Sequence, residues 1–96
     1  MKTLAEIKNT IINKKPYLTE KYGLKSIAVF GSYSRGDETE ISDVDLLVEF
    51  NKPIGLDFVT FADELESMLN VKVDVVTKKA MNEIMFKQIE ADLSYV

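Results

Sequence analysis

Leu4, Ile7, Ile11, Leu18 and Tyr22 fall on one stripe of three- and four-residue spacing, the period of an amphipathic helix. Thr3 followed by Glu6 has the spacing of a capping box, so the helix is predicted to open there. Pro16 lies inside the stretch and is expected to kink it or divide it in two, and Gly23 supplies a terminator. The pattern then changes. Residues 26–30 are short, apolar and closed by Gly31, which predicts a buried strand. Residues 32–42 are polar, rich in Gly, Asp, Glu and Ser, before the strand signal resumes over residues 44–50. After a loop at residues 51–55, Phe58, Phe61, Ala62, Leu65, Met68 and Leu69 mark a second amphipathic helix. Val71, Val73, Val75 and Val76, with Lys72 and Asp74 interleaved, predict a third strand. From Met81 onward, Ile84, Met85, Gln88, Ile89 and Leu93 again keep helical spacing. Helices that separate strands imply an α/β (α+β) class, with a small mixed sheet of at least three strands covered on both faces.

Length and composition narrow the chemistry. Ninety-six residues, 46% hydrophobic and 29% charged, make an ordinary globular composition with one modest core, read as a single domain over residues 1–96. The absence of cysteine excludes disulfides and thiolate metal sites. The absence of histidine removes the commonest general base and zinc ligand. Any catalysis must run on carboxylates, hydroxyls, lysines or metal ions. The start of the chain is charged, and the longest strictly apolar run is residues 27–30, too short to span a bilayer. A soluble, cytoplasmic protein is the expectation.

Three carboxylates stand out. Asp43 and Asp45 are two apart at the start of a predicted strand, so their side chains leave the same face about 7 Å apart. Asp74 sits in the separate valine-rich strand, and if the two strands are neighbours the three carboxylates converge at one place. Like charges so placed repel by about 2 kcal/mol per pair at an effective dielectric near 20. A hard divalent cation relieves that repulsion, and an oxygen-only donor set favours Mg²⁺ or Mn²⁺ over zinc. Taken alone, an Asp-x-Asp is more often a solvated pair on an exposed sheet face.

Upstream lies Phe30-Gly31-Ser32-Tyr33-Ser34-Arg35-Gly36. A strand that ends in Gly-Ser and passes into a turn or helix start presents backbone N–H groups outward. Gly31 has no side chain to hold a triphosphate away, and the Ser32 hydroxyl can donate to a phosphate oxygen. Arg35 is the single arginine among 12 basic residues. Its planar fork suits either a phosphate or a structural carboxylate pair, and both readings stay open. A Gly-Ser dipeptide alone is an ordinary turn. With Gly31, Ser32, Asp43 and Asp45 taken together, each at a background frequency of about 7% or less, the chance match is on the order of once in 500 chains of this length.

The arrangement resembles the polymerase-beta-type nucleotidyltransferase superfamily: an apolar residue, Gly31-Ser32, a spacer over residues 33–42, then Asp43-Val44-Asp45-Leu46, with Val73-Asp74-Val75 on a later strand. More closely, Gly-Ser-x-x-Arg-Gly followed by Ser42-Asp43-x-Asp45-Leu46 is similar to the minimal nucleotidyltransferase (MNT) family. Ser34 departs from the alanine frequent there. The resemblance implies an antitoxin that transfers AMP from ATP to a tyrosine hydroxyl of a HEPN-type toxin. It further implies that Asp43, Asp45 and Asp74 hold two Mg²⁺ ions, with Asp74 taking the nucleophile's proton. Gly31 and Ser32 would then cradle the phosphates, with Arg35 and Ser42 as further nucleotide-binding candidates, while Tyr33 and Asp37 are either positioning or surface residues. Two alternatives remain: an antitoxin that neutralises its partner by contact alone, and the catalytic subunit of a two-chain small-molecule nucleotidyltransferase. Relatives that modify antibiotics or tRNA ends carry an added acceptor-binding domain, and 96 residues leave no space for one.

Charge bears on the acceptor. A net charge of −4 makes direct nucleic-acid binding unfavourable, because such affinity rests on cationic neutralisation of phosphates. The expected result of a filter-binding titration with duplex DNA or unstructured RNA at physiological salt is no binding tighter than about 1 µM, and no sequence preference. Sub-micromolar affinity would instead promote a nucleic-acid acceptor.

Overall fold

A computed structural model describes residues 2–96 of the chain. Helix α1 spans Leu4–Tyr22 and opens with the reciprocal cap expected from its sequence. The Thr3 hydroxyl accepts from the Glu6 N–H at 3.2 Å, and the Glu6 carboxylate accepts from the Thr3 N–H at 3.2 Å. Gly23 closes it in the left-handed region at φ 73°, a conformation that favours glycine. Pro16 does not divide α1, which runs on through it. Pro16 and Ile12 both lie on the exposed side, so the Ile12 carbonyl that loses its helical partner faces water. Ile11 and Leu18, buried on either side of the proline, hold both halves against the core.

Strand β1 covers Leu24–Phe30, a short helix α2 Ser32–Arg35, β2 Val44–Phe50, α3 Asp57–Leu69 and β3 Val73–Thr77. The chain then makes a 3-10 turn at Lys78–Ala80, helix α4 over Glu83–Ile89, a second 3-10 turn at Glu90–Asp92, and a two-residue strand β4, Ser94–Tyr95. The sheet order is β3-β2-β1-β4. β1 pairs antiparallel with both β2 and β4, while β2 and β3 run parallel, so the mixed sheet expected from the sequence is present. The tail departs from its periodicity. α4 ends at Ile89, and Leu93 is extended beyond it, because the chain must straighten to add Ser94 and Tyr95 to the edge of β1. β3 begins at Val73 because Asn70, at φ 54°, caps α3 and turns the chain.

The two faces of the sheet are unequal. One carries Ile27, Val29, Val44, Leu46 and Val48, which join Ile7, Ile11 and Leu18 of α1 and Phe61, Leu65 and Leu69 of α3 in one buried cluster. On the other face Ala28 and Leu47 are buried outside that cluster. There Lys78 lies 3.9 Å from Glu49 and over the ring of Phe86, while α4 itself has no fully buried residue. The second face is therefore covered more thinly, and its Asp45 end stays partly open.

Phe61 locks the first face. It is fully buried and meets Tyr22 and Phe50 edge-on, with ring centroids 5.2 Å and 5.1 Å away. A Phe61→Ala substitution is expected to cost about 3–5 kcal/mol. Because a small domain is held by only about 5–15 kcal/mol, urea denaturation should show the midpoint falling by about a fifth or more.

Candidate functional site

Asp45 is the second residue of β2 and lies between two neighbours, opposite Phe30 at the end of β1 and opposite Asp74 on β3. The neighbouring of β2 and β3, left conditional by the sequence, is thus met, and it sets two carboxylates side by side on one sheet face. Asp43 precedes β2 by one residue and, like Asp74, is exposed, whereas Asp45 is partly buried. Burial pushes the Asp45 carboxyl above its ordinary value of 3.8. The negative charges of Asp74 and then Asp43 push it further, and Arg35 draws it partly back. The three do not converge on one point. Among the described residues, no three Asp, Glu, His or Cys side chains are gathered closely enough to hold a single ion as they stand. Mutual repulsion favours that spread, with Asp43 and Asp74 turned into solvent.

Gly31 is held in place by Asp45. It follows β1 and precedes α2 at φ 76°, ψ −152°, a combination close to glycine-only backbone. A Cβ there would run into Oδ2 of Asp45, with Asp45 Cγ 3.0 Å and Cβ 3.3 Å away. The same residue therefore meets two demands, the turn out of the strand and contact between main chain and carboxylate. Ser32 opens α2, whose backbone bonding begins with Arg35 N–H to the Gly31 carbonyl at 3.0 Å. The N–H groups of Ser32, Tyr33 and Ser34 thus lie outside the helical ladder. Tyr33 is no surface residue: it is buried with the main cluster and anchors α2 to the core.

Arg35 pairs with two carboxylates. Nε donates to Asp37 Oδ2 at 3.1 Å and Nη1 to Asp92 Oδ2 at 3.0 Å. Ser42 serves a local turn: its hydroxyl accepts from Thr39 N–H at 2.9 Å, and its own N–H donates to the Thr39 carbonyl at 3.0 Å. Sequence reasoning missed Asp92, which also accepts the Ser34 hydroxyl through its carbonyl. It lies 57 positions from Arg35, and no local spacing rule links two such residues. A cavity of about 660 Å³ lies elsewhere, beside Val48, Phe50, Thr77 and Lys78 at the far ends of β2 and β3. The carboxylates lie on open surface outside it.

The donor chemistry fits a hard divalent cation. Only oxygen ligands are present, and Asp45 is partly buried beside two further negative charges with Arg35 as the opposing cation. No helix among the described residues is long and apolar enough to cross a membrane. Residues 11–95 match the family model of the nucleotidyltransferase domain. The chain is 48% identical over 100 residues to a candidate protein adenylyltransferase of Methanocaldococcus jannaschii, with both chains covered in full. It is 39% identical over 97 residues to the protein adenylyltransferase MntA of Thermococcus cleftensis, covering 100% of this chain and 98% of that one. The solved structure of a toxin–antitoxin with AMP-PNP superposes at a TM-score of 0.70 and 27% identity, covering 86% of this chain and 69% of that chain.

Asp45 carries a stability cost with a defined pH window. A carboxyl whose folded pKa is raised destabilises the fold fully above that pKa, and not at all below the unfolded value near 3.8. Asp45→Asn is therefore expected to raise the melting temperature at pH 7 in EDTA by about 3 °C. The gain should fade on acidification toward 3.8. Millimolar Mg²⁺ should stabilise the parent more than the variant. A lower melting temperature for Asp45→Asn in EDTA would make Asp45 a structural carboxylate instead.

Proposed function

The chain belongs to the minimal nucleotidyltransferase family of the polymerase-beta-type superfamily, and on that premise we propose that it transfers AMP from ATP to a tyrosine hydroxyl of a HEPN-type toxin, as the antitoxin of the pair. The observation that carries the reading is the juxtaposition of Asp45 and Asp74 on adjacent parallel strands, with the Gly31 backbone packed on Asp45. The relatives at 48% and 39% identity are named for protein adenylylation, and the AMP-PNP complex is a toxin–antitoxin assembly. We take the reaction to be cytoplasmic, where an ATP donor is supplied.

Each residue has a role in that reaction. Gly31 lets the triphosphate approach the main chain, and Ser32 donates its hydroxyl to a phosphate oxygen. Asp43, Asp45 and Asp74 would hold Mg²⁺, two ions in all, which supplies charge neutralisation at the attacking and leaving oxygens. The tyrosine oxygen attacks the α-phosphorus in line, the bond to the β-phosphate oxygen breaks, and pyrophosphate leaves. Asp74, exposed at the edge strand, takes the proton of the attacking hydroxyl. The open surface around the carboxylates suits an acceptor presented by another protein.

The test combines the chain, ATP, Mg²⁺ and a HEPN-type toxin, with intact mass of both proteins as the readout. One or more AMP groups on a toxin tyrosine are expected. A tight but unmodified complex would mean neutralisation by contact alone. Asp43→Asn should abolish transfer, and residual transfer within about tenfold of the parent would remove it from the site. Asp74→Asn should lower the transfer rate by about 10²–10⁴-fold while changing Mg-ATP affinity little. A large loss of affinity with a modest loss of rate would reverse its role.

A further inference from the structure

The C-terminal segment reaches back to the turn that follows β1. Asp92 touches two consecutive residues of α2: its carboxylate accepts from Arg35 Nη1 at 3.0 Å, and its carbonyl accepts the Ser34 hydroxyl. The segment that carries Asp92 is itself pinned. Ser94 and Tyr95 pair with Val29 and Ala28, Val96 N–H donates to the Ile27 carbonyl at 3.0 Å, and α1 adds Lys8 to the Ser94 hydroxyl at 2.9 Å and Lys15 to the Val96 carbonyl at 2.8 Å. The other partner of Arg35, Asp37, is only two residues away and cannot fix the arginine relative to the sheet. Asp92 can, because it belongs to a segment anchored on β1.

The geometry points to Asp92 as a positioning residue of the nucleotide site, holding Arg35 beside the Gly31–Ser32 turn so that the guanidinium meets the triphosphate already oriented. This rests on the nucleotidyltransferase reading above. Arg35 is about half exposed, and Asp92 about a quarter. A free arginine at such a position samples many rotamers and loses that freedom on binding, whereas a clasped one has lost it beforehand. Nε and Nη1 are engaged, and Nη2 makes no hydrogen bond among the described residues. Nη2 therefore remains for a phosphate oxygen.

The experiment is a calorimetric titration of the full chain with AMP-PNP and Mg²⁺, comparing the parent, Asp92→Ala, Arg35→Gln and the double variant. Asp92→Ala is expected to weaken binding about fivefold, the size a half-exposed pair supports. In the Arg35→Gln background the same change should leave affinity unaltered, because the route through Arg35 is already gone. Asp92→Asn, which keeps an acceptor oxygen, should recover part of the loss and serves as the probe if the alanine variant folds poorly. Equal weakening in both backgrounds overturns the inference, as does a lowered melting temperature with parental affinity. A parent that binds no nucleotide overturns the functional reading and this inference together. A parent that binds, with Asp92→Ala and Asp92→Asn indistinguishable from it, overturns this inference alone.

Discussion

The contact between the Gly31 main chain and the Asp45 carboxylate organises the site. β1 and β2 are antiparallel, with Phe30 opposite Asp45, so the residue after Phe30 leaves the strand beside that carboxylate. No Cβ fits there and the backbone needs a positive φ; a side chain at position 31 would move the carboxylate, the turn or both. α2 starts from this turn, with Tyr33 buried beneath it. The Gly31–Ser32 main chain and the Asp45 carboxylate are thus parts of one corner.

Around that corner the charges are unbalanced by design. Asp43, Asp45 and Asp74 share one region, and Arg35, the cation that acts on Asp45, is itself divided between Asp37 and Asp92. Burial and like charge raise the Asp45 pKa, a cost that the main core must carry. That core lies on the other face, where α1 and α3 pack on the sheet through Ile7, Ile11, Leu18, Phe61 and Leu65. Separation of the two tasks by sheet face follows from strand alternation: in β2, Val44, Leu46 and Val48 point to the core while Asp45 points away.

Much of this was legible from local pattern. The capping box, the Gly23 terminator, the amphipathic stripes of α1 and α3 and the extent of β2 depend on neighbours within four residues, and periodicity reports those interactions directly. The Asp43-x-Asp45 and Val-Asp74-Val patterns likewise marked carboxylates on strands that the fold makes neighbours, with Asp45 opposite Asp74, although the three do not converge on one point. That Pro16 does not divide α1 was not legible, since it depends on Ile11 and Leu18 holding both halves against the core, a property of the packed helix.

The amino-acid sequence by itself determined the element types, the apolar stripes and the identity of the acidic corner, because each rests on residue chemistry and short-range spacing. The tertiary structure alone decided the parallel pairing that sets Asp74 opposite Asp45, and the straightening of the tail into β4. It also decided the choice of Asp37 and Asp92 as partners of Arg35. Strand order and long-range ion pairs join residues tens of positions apart, and they are selected by which faces the whole chain can bury at once, a quantity that no window of sequence contains.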